Sequence, residues 1–209
     1  DFEKRTQEYY QRSEVIPFQV FNTPSGTGKT MFAQSVCAGC RIPALYFLFG
    51  KEWLKDDDWI QYEYKPFLGI SKLMTGAIER DFSTANTFSF DFETKWNFVG
   101  VTVALFHKLL ELKKANPKKG WLELQCEIDH IKYTKMSIDE AMEAFRKIKI
   151  DYKAPVRIFV DHCDFDPDTD LRRFVFIRWA YWSLNVALVF LGTDPRITSI
   201  PKDAIHMIF

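Results

Sequence analysis

Three short stretches of this sequence carry residues whose types and spacing could handle a polyphosphate and a divalent cation. The first is the run Ser25, Gly26, Thr27, Gly28, Lys29, Thr30 and Met31 within FNTPSGTGKTMFAQ. Such a turn holds anions because successive backbone N–H groups and a helix N-terminus converge on one point, and glycines permit the close approach. Gly26 and Gly28 supply that freedom here, Lys29 would reach the terminal phosphates, and the Thr30 hydroxyl would ligate Mg²⁺. The usual pattern has a glycine where this chain has Thr23. That glycine mainly eases the exit from the preceding strand, so its loss removes no ligand.

The second stretch, VRIFVDHCD, is an apolar strand pattern that ends in a carboxylate. Asp161 at the strand's carboxyl end is suited to hold the water shell of a magnesium ion beside the phosphate turn. Hydrolysing enzymes of this plan usually carry a glutamate at the next position, where it orients the attacking water; this chain has His162. A histidine can act as a base near neutral pH but brings no fixed negative charge, and Asp164 or Asp166 could substitute. Slow or partner-dependent hydrolysis and binding without turnover both remain open at this point. The third stretch, GTDPR, ends another apolar run, and Thr193, with Asp194 beside it, could touch the terminal phosphate or the attacking water. A plain turn at Gly192, Asp194 and Pro195 explains the same residues. Arg172, Arg173 and Arg196 are candidate charge-stabilising fingers, although surface arginines are commoner.

The elements that would position these groups follow from hydrophobic periodicity. VIPFQVFN and ALYFLFG read as strands, the second apolar throughout as in a strand covered on both faces. KTMFAQSVCA reads as a helix with Met31, Ala33, Val36 and Cys37 toward the sheet. Residues 51–98 read as an insertion with its own hairpin, because Phe88, Phe90 and Phe92 alternate with polar residues. Helical spacing returns at Val99, Val103, Phe106, Leu109 and Leu110 and stops near Pro117. Ser137 and Glu140 have capping-box spacing ahead of Ile138, Ala141, Met142, Phe145 and Ile148. After VRIFVD, the acidic turn PDTD can cap a helix from about Leu171, and VALVFLGT closes as a fourth strand. Strands alternating with helices predict an α/β fold with a parallel sheet wrapped by helices.

Composition narrows the function classes. The chain has 209 residues, with 28 basic against 28 acidic side chains, so net charge gives no pull toward nucleic acid or an anionic membrane. The cluster KKANPKK reads as a solvated helix end before it reads as a DNA contact. Twenty phenylalanines predict a large aromatic core. The apolar stretch 174–192 contains Arg178 and Asn185, which fits a buried helix and strand rather than a membrane span. Four cysteines are too few for a disulfide framework, and CAGC lacks a second pair to complete a metal tetrad. Its two cysteines read as small residues at a helix end capped by Gly39. With no opening methionine, the chain reads as a piece of a longer protein: a polar extension over residues 1–14, then one domain over 15–209.

Taken together, SGTGKT, IFVDHCD and FIRWAYWSLNVALVFLGTD resemble the P-loop ATPase domain of the Crinkler and RHS-type proteins, over residues 15–196 in order of elements. The resemblance implies a P-loop NTPase of the additional-strand, AAA-like class that binds ATP and Mg²⁺, with Lys29 and Thr30 in the loop, Asp161 on magnesium and Thr193 in a sensing position. It also implies a multidomain effector or toxin whose ATPase adjoins a C-terminal nuclease or other toxic domain. Such proteins are delivered into host cells and often reach the nucleus. His162 and Thr23 depart from the family pattern and put turnover in doubt more than binding.

Competing readings separate on particular residues. In a non-hydrolysing interaction module, the nucleotide would stabilise the fold while aromatic surfaces bind a protein partner or a second copy of the chain. A small-molecule kinase would need an arginine-rich lid, and residues 51–98 hold Arg80 alone. A guanine-specific GTPase would need an Asn-Lys-x-Asp motif, which does not occur.

Overall fold

The computed structural model describes residues 19–22, 24, 26–49, 58–84, 92–152, 154–161 and 171–192. Its centre is a sheet of four parallel strands: β1 (Gln19–Asn22), β2 (Ala44–Leu48), β3 (Arg157–Asp161) and β4 (Ala187–Gly192). The spatial order is β1-β4-β3-β2. Every residue of β2, β3 and β4 is buried, which is why these segments read as unbroken apolar runs. Helices α1 (Lys29–Gly39), α2 (Asp58–Thr84), α3 (Asn97–Ala115), α4 (Trp121–Gln125), α5 (Ile138–Tyr152) and α6 (Leu171–Ser183) flank the sheet. The α/β class, the parallel sheet and the four strands match the expectation. The apolar stretch 174–192 is the end of α6 followed by β4, and no described helix is long and apolar enough to cross a membrane.

Within residues 51–98, the hairpin expected from Phe88, Phe90 and Phe92 falls largely outside the described residues. The described core of this segment is α2, a helix of 27 residues. Phe67, Ile70, Met74, Ile78 and Phe82 recur at helical intervals and are all buried in the common core. The alternating phenylalanines Phe88 and Phe90 lie outside the described residues, and Phe92 packs against Trp179 with ring centroids 5.3 Å apart.

The N-terminal half of α3 is buried all round: residues 97–103 lie in the interior. Buried helix N-termini need acceptors for their first N–H groups. Asp81, at the end of α2, provides them. Its Oδ1 accepts from the Asn97 backbone N–H at 2.9 Å and from Asn97 Nδ2 at 2.6 Å, while Oδ2 accepts from the Phe98 N–H at 2.9 Å. The carboxylate therefore caps α3 from another helix, in the position that the helix dipole favours for negative charge. One turn on, Gly100 lies under the chain that leads to α5. A Cβ there would stand 1.9 Å from the Thr134 carbonyl oxygen, so only glycine permits the crossing. Trp96 and Met136 clamp the same crossing with reciprocal backbone hydrogen bonds of 2.9 and 3.2 Å.

The described phenylalanines are chiefly core residues. Phe176 on α6 is a hub, 4.6 Å from Trp96 and 5.8 Å from both Phe82 and Phe98 between ring centroids. Such tilted and edge-to-face pairs add about 0.5–1.5 kcal/mol each beyond area burial. The capping box at the start of α5 forms as its spacing predicts. The Ser137 N–H donates to Glu140 Oε2 at 2.9 Å, and the Glu140 N–H donates to Ser137 Oγ at 3.2 Å. Lys95, 2.6 Å from Glu140 Oε1, and the Ser137 N–H together hold that carboxyl below its ordinary range. Met142, expected on the buried face of α5, is 42% exposed.

Candidate nucleotide-binding site

The glycine-bearing turn leaves the carboxyl end of β1 and runs into α1. Gly26 and Gly28 have φ of +78° and +82°, a left-handed conformation that side chains with a Cβ rarely adopt. Among the described residues, no atom beyond the neighbouring residues lies within 4 Å of where a Cβ would stand at either glycine. Gly28 is also the N-cap of the 11-residue α1 and, as a glycine, makes no side-chain cap hydrogen bond. Within the turn, Thr27 Oγ1 and Lys29 Nζ each donate to the Pro24 carbonyl at 2.9 Å. Phe21 and Phe32, with ring centroids 5.1 Å apart, fasten the end of β1 to the first turn of α1.

Asp161 stands at the same edge of the sheet. Phe190 pairs with Val20 on one side and Val160 on the other, so Asp161 is level with Phe21, one strand removed. At strand spacings of about 4.8 Å, β1 and β3 are roughly 10 Å apart. This end, where parallel strands deliver their carboxyl termini, is where α/β sheets bind ligands. Asp161 is 2% exposed, and its Oδ2 accepts a 2.8 Å hydrogen bond from the Tyr46 hydroxyl on β2. Its backbone carbonyl accepts from the Phe49 N–H at 2.9 Å.

The structure thus brings Gly26, Thr27, Gly28, Lys29 and Thr30 to the edge that also holds Asp161. Ser25, His162, Asp164 and Thr193 lie outside the described residues, as do Thr23, Asp166, Asp194 and Arg196. Met31 departs from expectation: it is 73% exposed, and α1 faces the sheet through Ala33 and Cys37 instead. Cys37 and Cys40 are packing residues at the far end of α1. Burial pushes the Cys37 thiol well above its ordinary range, and Arg157 Nη1 donates to Cys40 Sγ at 2.9 Å. Gly39 is the last residue of α1 and does not adopt the left-handed cap conformation expected of it. In the basic cluster, Lys113 donates to the Lys119 carbonyl and lies 5.2 Å from the Trp121 ring centre, and Lys119 pairs with Glu123 and Glu127. These contacts fit a solvated helix end.

Two residues absent from the sequence-based expectation support the site. Tyr46 holds Asp161. Gln125 in turn holds Tyr46: its Oε1 accepts from the Tyr46 N–H at 2.8 Å and its Nε2 donates to the Tyr46 carbonyl. The amide thereby completes the hydrogen bonding of an edge strand in the manner of a neighbouring strand. Ser71 Oγ continues this by accepting from the Leu48 N–H at 2.9 Å. No local pattern reports such pairings; the one available signal is a tyrosine in a strand otherwise built from hydrocarbon side chains.

No family model, curated protein or solved structure matches this chain.

Proposed function

We propose that this chain is a P-loop NTPase domain of the additional-strand class that binds ATP with Mg²⁺ and hydrolyses it slowly. The observation that carries the reading is the left-handed glycine turn, Gly26 to Gly28, which opens α1 at the carboxyl end of β1 directly before Lys29 and Thr30. The buried carboxylate at the end of β3 supports it. So does strand order, because β4 lies between the turn-bearing strand and the carboxylate-bearing strand, as the name of the class describes.

The residues present suit the ligand. The glycine turn and the α1 N-terminus would offer backbone donors to the phosphates. Lys29 would exchange the Pro24 carbonyl for phosphate oxygens, trading a neutral acceptor for a charged one. Thr30 and Asp161 would hold Mg²⁺ and its water shell. When bound, the ion neutralises charge that develops on the phosphate oxygens. His162 and Asp164 are the proposed water-orienting groups, and Thr193 the proposed sensor. By the family resemblance, the nucleotide state would bias an adjoining effector domain, inside a host cell, by ordering loops around the terminal phosphate. His162 in place of glutamate favours a second reading, a domain that binds nucleotide without turning it over.

Thermal unfolding with and without nucleotide tests the proposal. At a Mg·ATP concentration about a hundredfold above Kd, native-state binding stabilises the domain by about 2.7 kcal/mol. Phosphate release in the same samples should be slow but measurable and should be lost in Lys29→Ala. Stabilisation without release would select the second reading; no stabilisation would remove both.

A further inference from the structure

We propose that Tyr46 is the positioning residue of the metal-binding carboxylate: its hydroxyl fixes the rotation of Asp161 and so sets the affinity of the site for Mg²⁺. The inference rests on the nucleotide reading above and assigns that site a residue outside the phosphate loop and the metal strand.

Geometry makes the contact a built one. Tyr46 pairs with Phe159 across the parallel ladder, and residues two apart on a strand share a face, so Tyr46, Phe159 and Asp161 lie on one face of the sheet. From there the phenol reaches diagonally to Asp161 Oδ2 at 2.8 Å. A carboxylate turns easily about its last side-chain bond, whose rotational preference is broad. Holding Oδ2 fixes the plane of the group and with it the direction of Oδ1.

Tyr46 is itself immobilised. It is fully buried, its ring meets Phe67 edge-on at 5.1 Å, and Gln125 holds both its backbone N–H and its carbonyl. A buried phenol hydroxyl is costly without a partner, whereas phenylalanine would fill this hydrocarbon layer without that cost. The hydroxyl is spent on Asp161. Groups that orient a metal ligand in this way typically change metal affinity by about 10–100-fold when removed.

The test is the Mg²⁺ dependence of ATP binding, measured by calorimetry on the wild-type protein, Tyr46→Phe, Asp161→Ala and Ser71→Ala. Tyr46→Phe deletes one oxygen and conserves volume. Ser71→Ala disturbs the same edge strand without touching the carboxylate. Tyr46→Phe is expected to raise the Mg²⁺ concentration for half-maximal enhancement of ATP affinity by about tenfold or more. ATP affinity without Mg²⁺, and the Mg²⁺ dependence of Ser71→Ala, should remain those of the wild type. Wild-type Mg²⁺ dependence in Tyr46→Phe, with a shift in Asp161→Ala, would overturn the inference and leave the nucleotide reading standing. Equal shifts in Tyr46→Phe and Ser71→Ala would also overturn it, because the strand and not the hydroxyl would then be responsible. Absence of ATP binding by the wild type would remove the nucleotide reading and this inference with it.

Discussion

Lys29→Ala is expected to weaken Mg·ATP binding by about 10- to 100-fold while leaving the fold intact. A hydrogen bond to a charged group contributes about 1.5–3 kcal/mol, and each 1.4 kcal/mol is a tenfold change in affinity. Lys29 Nζ makes a 2.9 Å hydrogen bond to the Pro24 carbonyl, a neutral acceptor in an exposed turn. Its loss should cost about 1 kcal/mol of stability or less. The variant therefore separates affinity from stability. A titration of Lys29→Ala indistinguishable from the wild type would mean that any nucleotide binds elsewhere.

Asp81→Ala should produce the largest loss of stability among these substitutions. Asp81 is 3% exposed, and its carboxylate accepts three hydrogen bonds at the buried start of α3. Alanine leaves the backbone N–H groups of Asn97 and Phe98 without that acceptor, in an interior where each unsatisfied donor costs about 1–3 kcal/mol. A total near 3 kcal/mol, at about 2–4 °C per kcal/mol for a domain of this size, lowers Tm by roughly 6–12 °C. Asp81→Asn keeps one acceptor oxygen and should lose less. Thermal melts followed by circular dichroism measure both, and a fall in Tm below about 2 °C for Asp81→Ala would contradict the capping role.

What the sequence discloses about this domain is local, and what it conceals is not. The glycine turn between a strand and a helix could be read because Gly26, Gly28, Lys29 and Thr30 are adjacent, with an apolar run before them and a helical pattern after. Strands β2, β3 and β4 could be read because burial on both faces leaves an unbroken apolar run. Helix α2 was obscured by Pro66, Gly69 and Gly76, which break the expected pattern, and by a charged approach that resembles a surface loop. Its buried stripe from Phe67 to Phe82 keeps helical spacing nonetheless. Met31 fits the α1 stripe by spacing, yet in the first turn of the helix its side chain is exposed. The polar contacts that support the site left no sequence signal beyond a tyrosine in a strand of hydrocarbon side chains. Tyr46 and Asp161 are 115 residues apart, Tyr46 and Gln125 are 79 apart, and only the fold brings them together.

Those contacts also indicate how the outer strand of the sheet is ordered. An edge strand is ordinarily the least constrained in a sheet, and β2 carries the residue that holds Asp161. Side chains from α4 and α2, Gln125 and Ser71, fix its backbone at Tyr46 and Leu48. The edge thus gains the order of an internal strand without an added strand, and it offers fewer open groups for pairing with another chain.

Calorimetric titration of Mg·ATP into the wild-type protein tests the central claim most directly. The account predicts a saturable single-site isotherm that weakens when Mg²⁺ is chelated and falls by about 10- to 100-fold in affinity in Lys29→Ala. A flat titration with wild-type protein whose circular dichroism and melting show an intact fold would contradict it.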